Sequence, residues 1–567
     1  MRATNPVLSG CFPDPSVCRV GEWFYLVNST FEYLPGLPIH RSRDLVHWEP
    51  VGHAVTDQLD LSGLSSSQGL FAPTLRHHDG RFWLVCTLVG GGGHLLLTAE
   101  DAAGPWSAPT WLTGEGIDPS LFFDEDGRVW FHATRPAADP QWPGHTEIWL
   151  RELVDGALVG PEHVLWSGAV RDAVWSEGPH LYRVDGHYYL LTAEGGTERH
   201  HAVVVARAEQ VIGPYVGTPA NPVLTHRHLG AAADIAAVGH ADLVQAPDDS
   251  WWALLLGVRP YGGFHHNLGR ETFLVPVVWE DGWPVFSPGE GRVPREVEVP
   301  FASALGIDIE SPDLPTTTAT PTAVTPTGPV PATSPTPAVT SPRSTPAIPP
   351  SDPAWCAPRH LPSDLATPEP DGWLLPVRPT TLADTAPSSF LGLRQQHIDC
   401  ELVVTLDLSE LAAGEWAGLA VRQSESDHLT LLTDGVEART DLTRHGTAIP
   451  LGRLPLVELG HRGLPVPAPT NKPDSGYGHG PSPRPAPTAN PSVTVALRAT
   501  GQDYTLLAGP DPARLSPVAT ADGRSLDSVS AGGFLGLWLG PYATSAGRPA
   551  TGRVRARTTY RALTTTR

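Results

Sequence analysis

Short apolar runs broken by polar turns fill the first 300 residues, and their rhythm is that of strands. Five segments align: "PDPSVCRVGEWFYLVNST" (13–30), "FAPTLRHHDGRFWLVCTLV" (71–89), "IDPSLFFDEDGRVWFHATR" (117–135), "SEGPHLYRVDGHYYLLTAEG" (176–195) and "GHADLVQAPDDSWWALLLGV" (239–258). Each opens on a small or proline-containing start and a few apolar residues, passes a polar turn, usually Asp-Gly, and returns as an aromatic-rich run. Aromatic and β-branched runs joined by Asp-Gly predict β-hairpins. No helical pattern of comparable length competes. Five hairpins spaced by about 45 to 65 residues predict five four-stranded blades, a five-bladed β-propeller over residues 1–300.

Composition then changes. From residue 311 the chain reads "SPDLPTTTATPTAVTPTGPVPATSPTPAVTSPRSTPAIPP", almost wholly Pro, Thr, Ser, Ala and Val. Such a segment buries too little apolar surface to offset ordering, so a disordered linker is expected over 301–353. Residues 354–567 again read as strands and predict a second β domain. A Pro-rich stretch at 463–491 inside it is expected as a surface loop insertion. The fold class is therefore all-β.

Net charge and cysteine usage narrow the function. At −22 the chain lacks the clustered Lys and Arg that phosphate binding needs, which excludes nucleic acid as partner. Cys11, Cys18, Cys86, Cys356 and Cys400 form an odd, sparse set with no C-x-x-C pair, fitting neither a disulfide framework nor a zinc site. No run approaches the ~18 apolar residues of a membrane span, and "MRATNPVLSG" carries no apolar leader core. The expected location is the cytoplasm.

The repeat also collects chemistry. In a propeller the innermost strand of each blade lines the central channel. At the start of that strand stand Asp14, Asp118, Glu177 and His240, with Ala72 in the second blade. Asp14 lies between Pro13 and Pro15, which restrain its backbone toward extended geometry and aim its side chain. Carboxylates crowded at one mouth raise at least one pKa, so that one stays protonated while another ionises. A proton donor and acceptor across a pocket are what glycosidic cleavage requires.

The segments "NPVLSGCFPDPSV", "STFEYLPGLPIHRSRDLVHWEPVGHAV", "GIDPSLFFDEDG", "SEGPHLYRVDGHYYLLTAEGGT", "GHADLV" and "LGRETFLVPVVWEDGWPVF" resemble glycoside hydrolase family 43, in particular its β-xylosidase group. The segments "FLGLRQQHIDCELVVTLDL" and "GGFLGLWLGPYATSAGRPATGRVRARTTYRAL" resemble the concanavalin A-like, jelly-roll β-sandwich that follows the propeller there. The resemblance implies an exo-acting, inverting hydrolase that releases xylose from the non-reducing end of short β-1,4-xylooligosaccharides. It implies Asp14 as general base, Glu177 as general acid and Asp118 as the residue that orients Glu177 and keeps its pKa high. Inversion asks for an acid–base separation of about 6.5–9.5 Å. The resemblance also implies Arg270 on the sugar hydroxyls, His240 at the channel floor, and Phe31, Phe71 and Thr197 along the sugar pocket. Phe71 replaces a Trp usual in the group, Cys11-Phe12 departs from its first motif, and the long linker is unusual for it.

The runner-up is an α-L-arabinofuranosidase or a dual enzyme, because xylopyranose and arabinofuranose present similar hydroxyls. A non-catalytic carbohydrate-binding propeller is a distant third, since all three carboxylates are present. Retaining fructosidases fit poorly, because no Arg-Asp-Pro segment occurs. "GGGGHLLLT" (90–98) lacks the Lys-Ser/Thr of a phosphate loop, and "ERHH" (198–201) lacks metal spacing, leaving His201 either facing the pocket or exposed. No cofactor is obligatory. A divalent cation such as Ca2+ beside His240 ranks below water. The expected partners are short xylo- or arabino-oligosaccharides, with no membrane and with homo-oligomerisation left open.

Overall fold

The structure, a computed structural model, describes residues 1–301, 345–456 and 491–563. The expected linker and loop insertion lie outside the described residues over 302–344 and 463–490. Ile348, within the span read as linker, packs against the second domain's core, its N–H donating to Thr558 O at 2.9 Å.

Five antiparallel sheets form the propeller. Their innermost strands are Ser16–Val20, Thr74–His78, Ile117–Phe123, Glu177–Val184 and Ala236–Gln245, each pairing with the second strand of its hairpin as the sequence pattern predicts. Apolar side chains from neighbouring blades meet between the sheets, for example Leu191, Val205, Leu243, Leu255 and Phe273 between the fourth and fifth. Arg2–Thr4 pairs antiparallel with Glu296–Glu298, so the two ends of the propeller sequence meet.

Two seven-stranded sheets stack as a β-sandwich. One contains Cys400–Asp407, Ser492–Thr500 and Arg553–Ala562 among its strands, the other Trp416–Arg422, His428–Thr433 and Trp538–Thr544. Alternate inward residues such as Leu402, Val404, Leu419 and Leu431 make its core.

The two domains are fused. Tyr33–Leu34 pairs with Ala357–Pro358 across the boundary. The Tyr33 ring stacks on Trp538 at 3.9 Å, and Arg422 reaches Glu32 at 3.1 Å in a fully buried ion pair. No helix among the described residues is long and apolar enough to cross a membrane.

Candidate active site

The inner strands do not start cleanly. In the third, fourth and fifth blades the register with the second strand shifts, between Ile117 and Ser120, Glu177 and His180, and around Gly239. A bulge of this kind re-aims a side chain at a strand end. At it sit Asp118 with φ 53°, Gly178 with φ 58° and His240 with φ 48°. Asp14 takes the same conformation with φ 53°, which corrects the extended geometry expected between two prolines. The right-handed region is closed before proline, and aspartate is among the few residues that tolerate the left-handed one. Asp14 is held there from both sides. Ser29 Oγ donates to its Oδ2 at 2.6 Å, and Arg270 Nη1 donates to its Oδ1 at 3.0 Å.

The repeat position is thus Asp14, Asp118, Gly178 and His240. Glu177 stands one residue before it, which corrects the expected equivalence of the three carboxylates. The physical reason is room. A Cβ on Gly178 would lie 2.9 Å from His240 Nε2, so the fourth blade places glycine on the axis and supplies its carboxylate from the residue before. The Gly178 N–H donates to Asp118 Oδ2 at 3.1 Å, tying the third and fourth blades together beneath Glu177.

Asp14, Asp118, Glu177, His240, Arg270, Phe31, Phe71 and Thr197 all line one cavity of about 550 Å³. Every site residue named from the sequence is in it. Beneath it the channel is filled. Residues two and four places further along the inner strands form a buried polar layer. Asp242 accepts from Ser16 Oγ at 2.7 Å, Arg76 Nη1 at 2.8 Å and Tyr182 OH at 2.6 Å, while Ser120 Oγ meets His180 Nδ1 at 3.0 Å. All five blades contribute, and the pocket is blind at its inner end.

The Arg270 guanidinium sits beside a stacked pair of near-parallel rings, Phe31 and Phe534, 5.5 Å from each centroid. Besides Asp14 it contacts Thr197 Oγ1 at 3.3 Å, while its sequence neighbour Glu271 pairs with Arg259 at 2.7 Å. Phe31 has φ 53°, an uncommon conformation for a bulky residue, and exchanges backbone hydrogen bonds with Leu70. The turn fits only because Gly69 is opposite; a Cβ there would be 2.3 Å from Phe31 O. His240 Nδ1 lies 3.8 Å from Asp14 Oδ1. His201 is fully buried, with Nδ1 on Ala237 O at 3.1 Å, and does not line the cavity.

The three carboxyls differ electrostatically. Burial pushes Asp14 up, but Arg270, His240 and the Ser29 hydroxyl outweigh it and hold the carboxylate below its ordinary range. Burial and the charge of Asp14 push Asp118 up to about 6, against the pull of His240. Burial, then repulsion from Asp118 and Asp14, pushes Glu177 well above the usual carboxyl range. The environment thus favours the charged form of one carboxyl and the protonated form of another in the same pocket, the division that proton donation to one face and acceptance from another requires. Among the described residues no group of three or more His, Cys, Asp or Glu side chains is placed to hold a metal ion. A cation beside His240 would have to share Asp14 Oδ1 with Arg270.

Sequence reasoning missed two aromatic wall residues. Trp175, 50% exposed, flanks Glu177 on the pocket rim. Its position two residues before the glutamate is the signal that marks it. Phe534 comes from the sandwich domain and packs on Phe31 at 6.1 Å and Phe71 at 5.9 Å. Nothing along the chain links residue 534 to a pocket built from residues 14–270.

Comparison with known proteins bears on the family and the fold. The profile described as glycosyl hydrolases family 43 matches residues 3–284, and that of the beta xylosidase C-terminal concanavalin A-like domain matches residues 349–447. A xylosidase/arabinosidase of Butyrivibrio fibrisolvens is 40% identical over 76% of this chain and 79% of its own. The non-reducing end alpha-L-arabinofuranosidase BoGH43B of Bacteroides ovatus is 44% identical over 49% of this chain and 52% of its own. Among solved structures, the Bacteroides ovatus xyloglucan PUL GH43B superposes with a TM-score of 0.79 at 30% identity, covering 99% of this chain and 100% of that one. The xylan beta-1,4-xylosidase of Bacillus halodurans gives 0.78 at 29%, covering 98% and 99%.

Proposed function

The chain belongs to glycosyl hydrolase family 43, and from that membership we propose that it is an exo-acting, inverting β-xylosidase releasing xylose from the non-reducing end of short β-1,4-xylooligosaccharides. One observation carries the reading: a pocket in which Arg270 and its neighbours hold the Asp14 carboxyl below its ordinary range while burial and carboxylate repulsion push Glu177 well above it. The rings of Phe31, Phe71 and Phe534, the last from the sandwich, wall one side of the pocket, which supports acceptance of a chain end over passage of a chain through a groove.

In this reading Asp14 is the general base that takes a proton from the attacking water. Glu177 is the general acid that protonates the leaving glycosidic oxygen as the bond breaks. Asp118 orients the acid and adds to the repulsion that keeps it protonated. Arg270 fixes Asp14, and with Thr197 and His240 borders the sugar. Phe31, Phe71 and Phe534 give the sugar ring its apolar walls. The scheme runs without a cation. Exhaustive chelation is expected to leave kcat unchanged, and a loss restored by Ca2+ would place an ion beside His240.

The names of the relatives favour a second reading, an α-L-arabinofuranosidase or dual enzyme acting in the same pocket. The test compares 4-nitrophenyl β-D-xyloside, 4-nitrophenyl α-L-arabinofuranoside and xylobiose as substrates of the wild type and Glu177→Ala. Loss of the acid is expected to cut xylobiose hydrolysis by about 10²- to 10⁴-fold and to spare the nitrophenyl substrate, whose leaving group needs little protonation. Cleavage of the arabinoside alone moves the substrate to the second reading. Sugar binding with no cleavage of any of the three overturns the mechanism.

A further inference from the structure

A second cavity, of about 350 Å³, opens between the propeller and the sandwich, on the other side of the Cys11–Asp14 segment from the catalytic pocket in the sense that Phe12 lines the one and Asp14 the other. Its walls include Phe12, Trp48, His40 and His53 from the propeller and Arg394 and Tyr560 from the sandwich.

Four arginines in the described residues are buried: Arg270, Arg359, Arg394 and Arg422. Arg270 is paired with Asp14, Arg359 with Glu425, and Arg422 with Glu32. Arg394, 6% exposed, has no carboxylate partner among the described residues. Its Nε donates to Cys11 O at 2.9 Å, and its guanidinium lies 4.5 Å from the Phe12 and Trp538 ring centroids and beside the Cys356 thiol, with no hydrogen bond to a carboxylate. A buried guanidinium without a counter-charge is strongly unfavourable, and aromatic faces offset only part of that.

The cavity's other polar groups are also unspent. His40 and His53 both line the cavity, and neither imidazole makes a hydrogen bond among the described residues. Burial and the Arg394 charge hold both imidazoles down to about 3, so they stand neutral beside the guanidinium as hydrogen-bonding groups and add no competing charge. The half-buried Asp352 also lines the cavity, its Oδ1 taken by the Ala354 N–H at 2.9 Å.

We propose that this interdomain cavity is a binding site for one small oxyanion, a carboxylate or inorganic phosphate, with Arg394 as its charge partner and His40 and His53 as its hydrogen-bonding walls. A planar guanidinium matches either anion, and the cavity has room for one with bridging water.

The test is isothermal titration of the full-length protein with sodium acetate and, separately, sodium phosphate, at pH 7 in a zwitterionic buffer with chloride holding the ionic strength constant. One or both should bind saturably at one site per chain. Arg394→Gln should weaken that binding about tenfold or more, the loss of a charge-assisted hydrogen bond. Ala354→Phe, a change at an exposed wall residue that fills the cavity and leaves Arg394 in place, should do the same, and it decides the matter if Arg394→Gln does not fold. Acetate alone identifies a carboxylate site and phosphate alone a phosphate site. No saturable binding of either by about 10 mM overturns the proposal, as does binding that survives Ala354→Phe unchanged.

Discussion

At Asp118, burial and the Asp14 charge push the carboxyl up to about 6 from its ordinary 3.8, while His240, the Gly178 N–H and Arg270 pull it down. A carboxyl whose folded pKa is raised holds a proton that the unfolded chain has already released. Stability therefore falls as pH rises from about 4 through about 6, and the deficit persists above that. An asparagine side chain at this position would keep the acceptor for Gly178 N–H and carry no charge. Asp118→Asn should accordingly be more stable than the wild type at pH 7–8, by on the order of 2–3 kcal/mol, with the difference vanishing near pH 4. Thermal midpoints measured across pH 4–8 check this. The same substitution removes a charge that repels the Glu177 carboxylate, so Glu177 should ionise at lower pH. The alkaline limb of kcat/KM is expected to shift down in pH, and a limb that stays in place would remove Asp118 from the role of modulating the acid.

The inner strand is the element that turns five repeats into one site. Its position in each blade was legible because the apolar runs, the Asp-Gly turns and the aromatic returns recur together, and hairpin chemistry is local. The axial register was less legible. Aligning the repeats on their carboxylates sets Glu177 beside Asp14 and Asp118, whereas aligning them on proline, as "DPS", "DPS" and "GPH", sets Gly178 there, and the bulged ladder follows the prolines. A one-residue slip matters because side chains on a strand alternate. It also gives Gly178 a role: it makes room for His240 and its N–H holds Asp118. Gly178→Ala combines a left-handed conformation with a Cβ 2.9 Å from the His240 ring. The conformation alone should cost roughly 1–2 kcal/mol, and displacement of His240 and Asp118 should lower kcat by about ten- to a hundredfold. A variant with wild-type kcat and thermal midpoint would mean that the ring yields freely.

The whole molecule works as one body because the sandwich completes what the propeller begins. Phe534 closes the aromatic wall over Arg270, and the residue escaped sequence reasoning because a contact between positions some 500 apart leaves no local pattern; the only mark is a lone aromatic after small residues in "SAGGFLG". The long linker suggests domains that could move apart, but the interface argues the reverse. Glu32 of the propeller is fully buried and accepts from Arg422 at 3.1 Å, Ser66 Oγ at 2.8 Å and Ser67 N at 3.1 Å. Leu537 N–H donates to Asn267 O at 2.9 Å and His266 N–H to Asp527 Oδ2 at 3.0 Å. Parting the domains would take Arg422 from Glu32, Leu537 N–H from Asn267 O and Asp527 from His266 N–H together, and expose Tyr33 and Trp538. Calorimetry of the full chain should therefore show a single unfolding transition despite two domains. Arg422→Ala leaves the Glu32 charge buried without its cation, a change worth about 3–5 kcal/mol, and should lower that transition as a whole or split it, the propeller melting apart from the sandwich. Two transitions in the wild type, with Arg422→Ala moving neither, would show that the domains are stable independently and that Phe534 meets the pocket by docking alone.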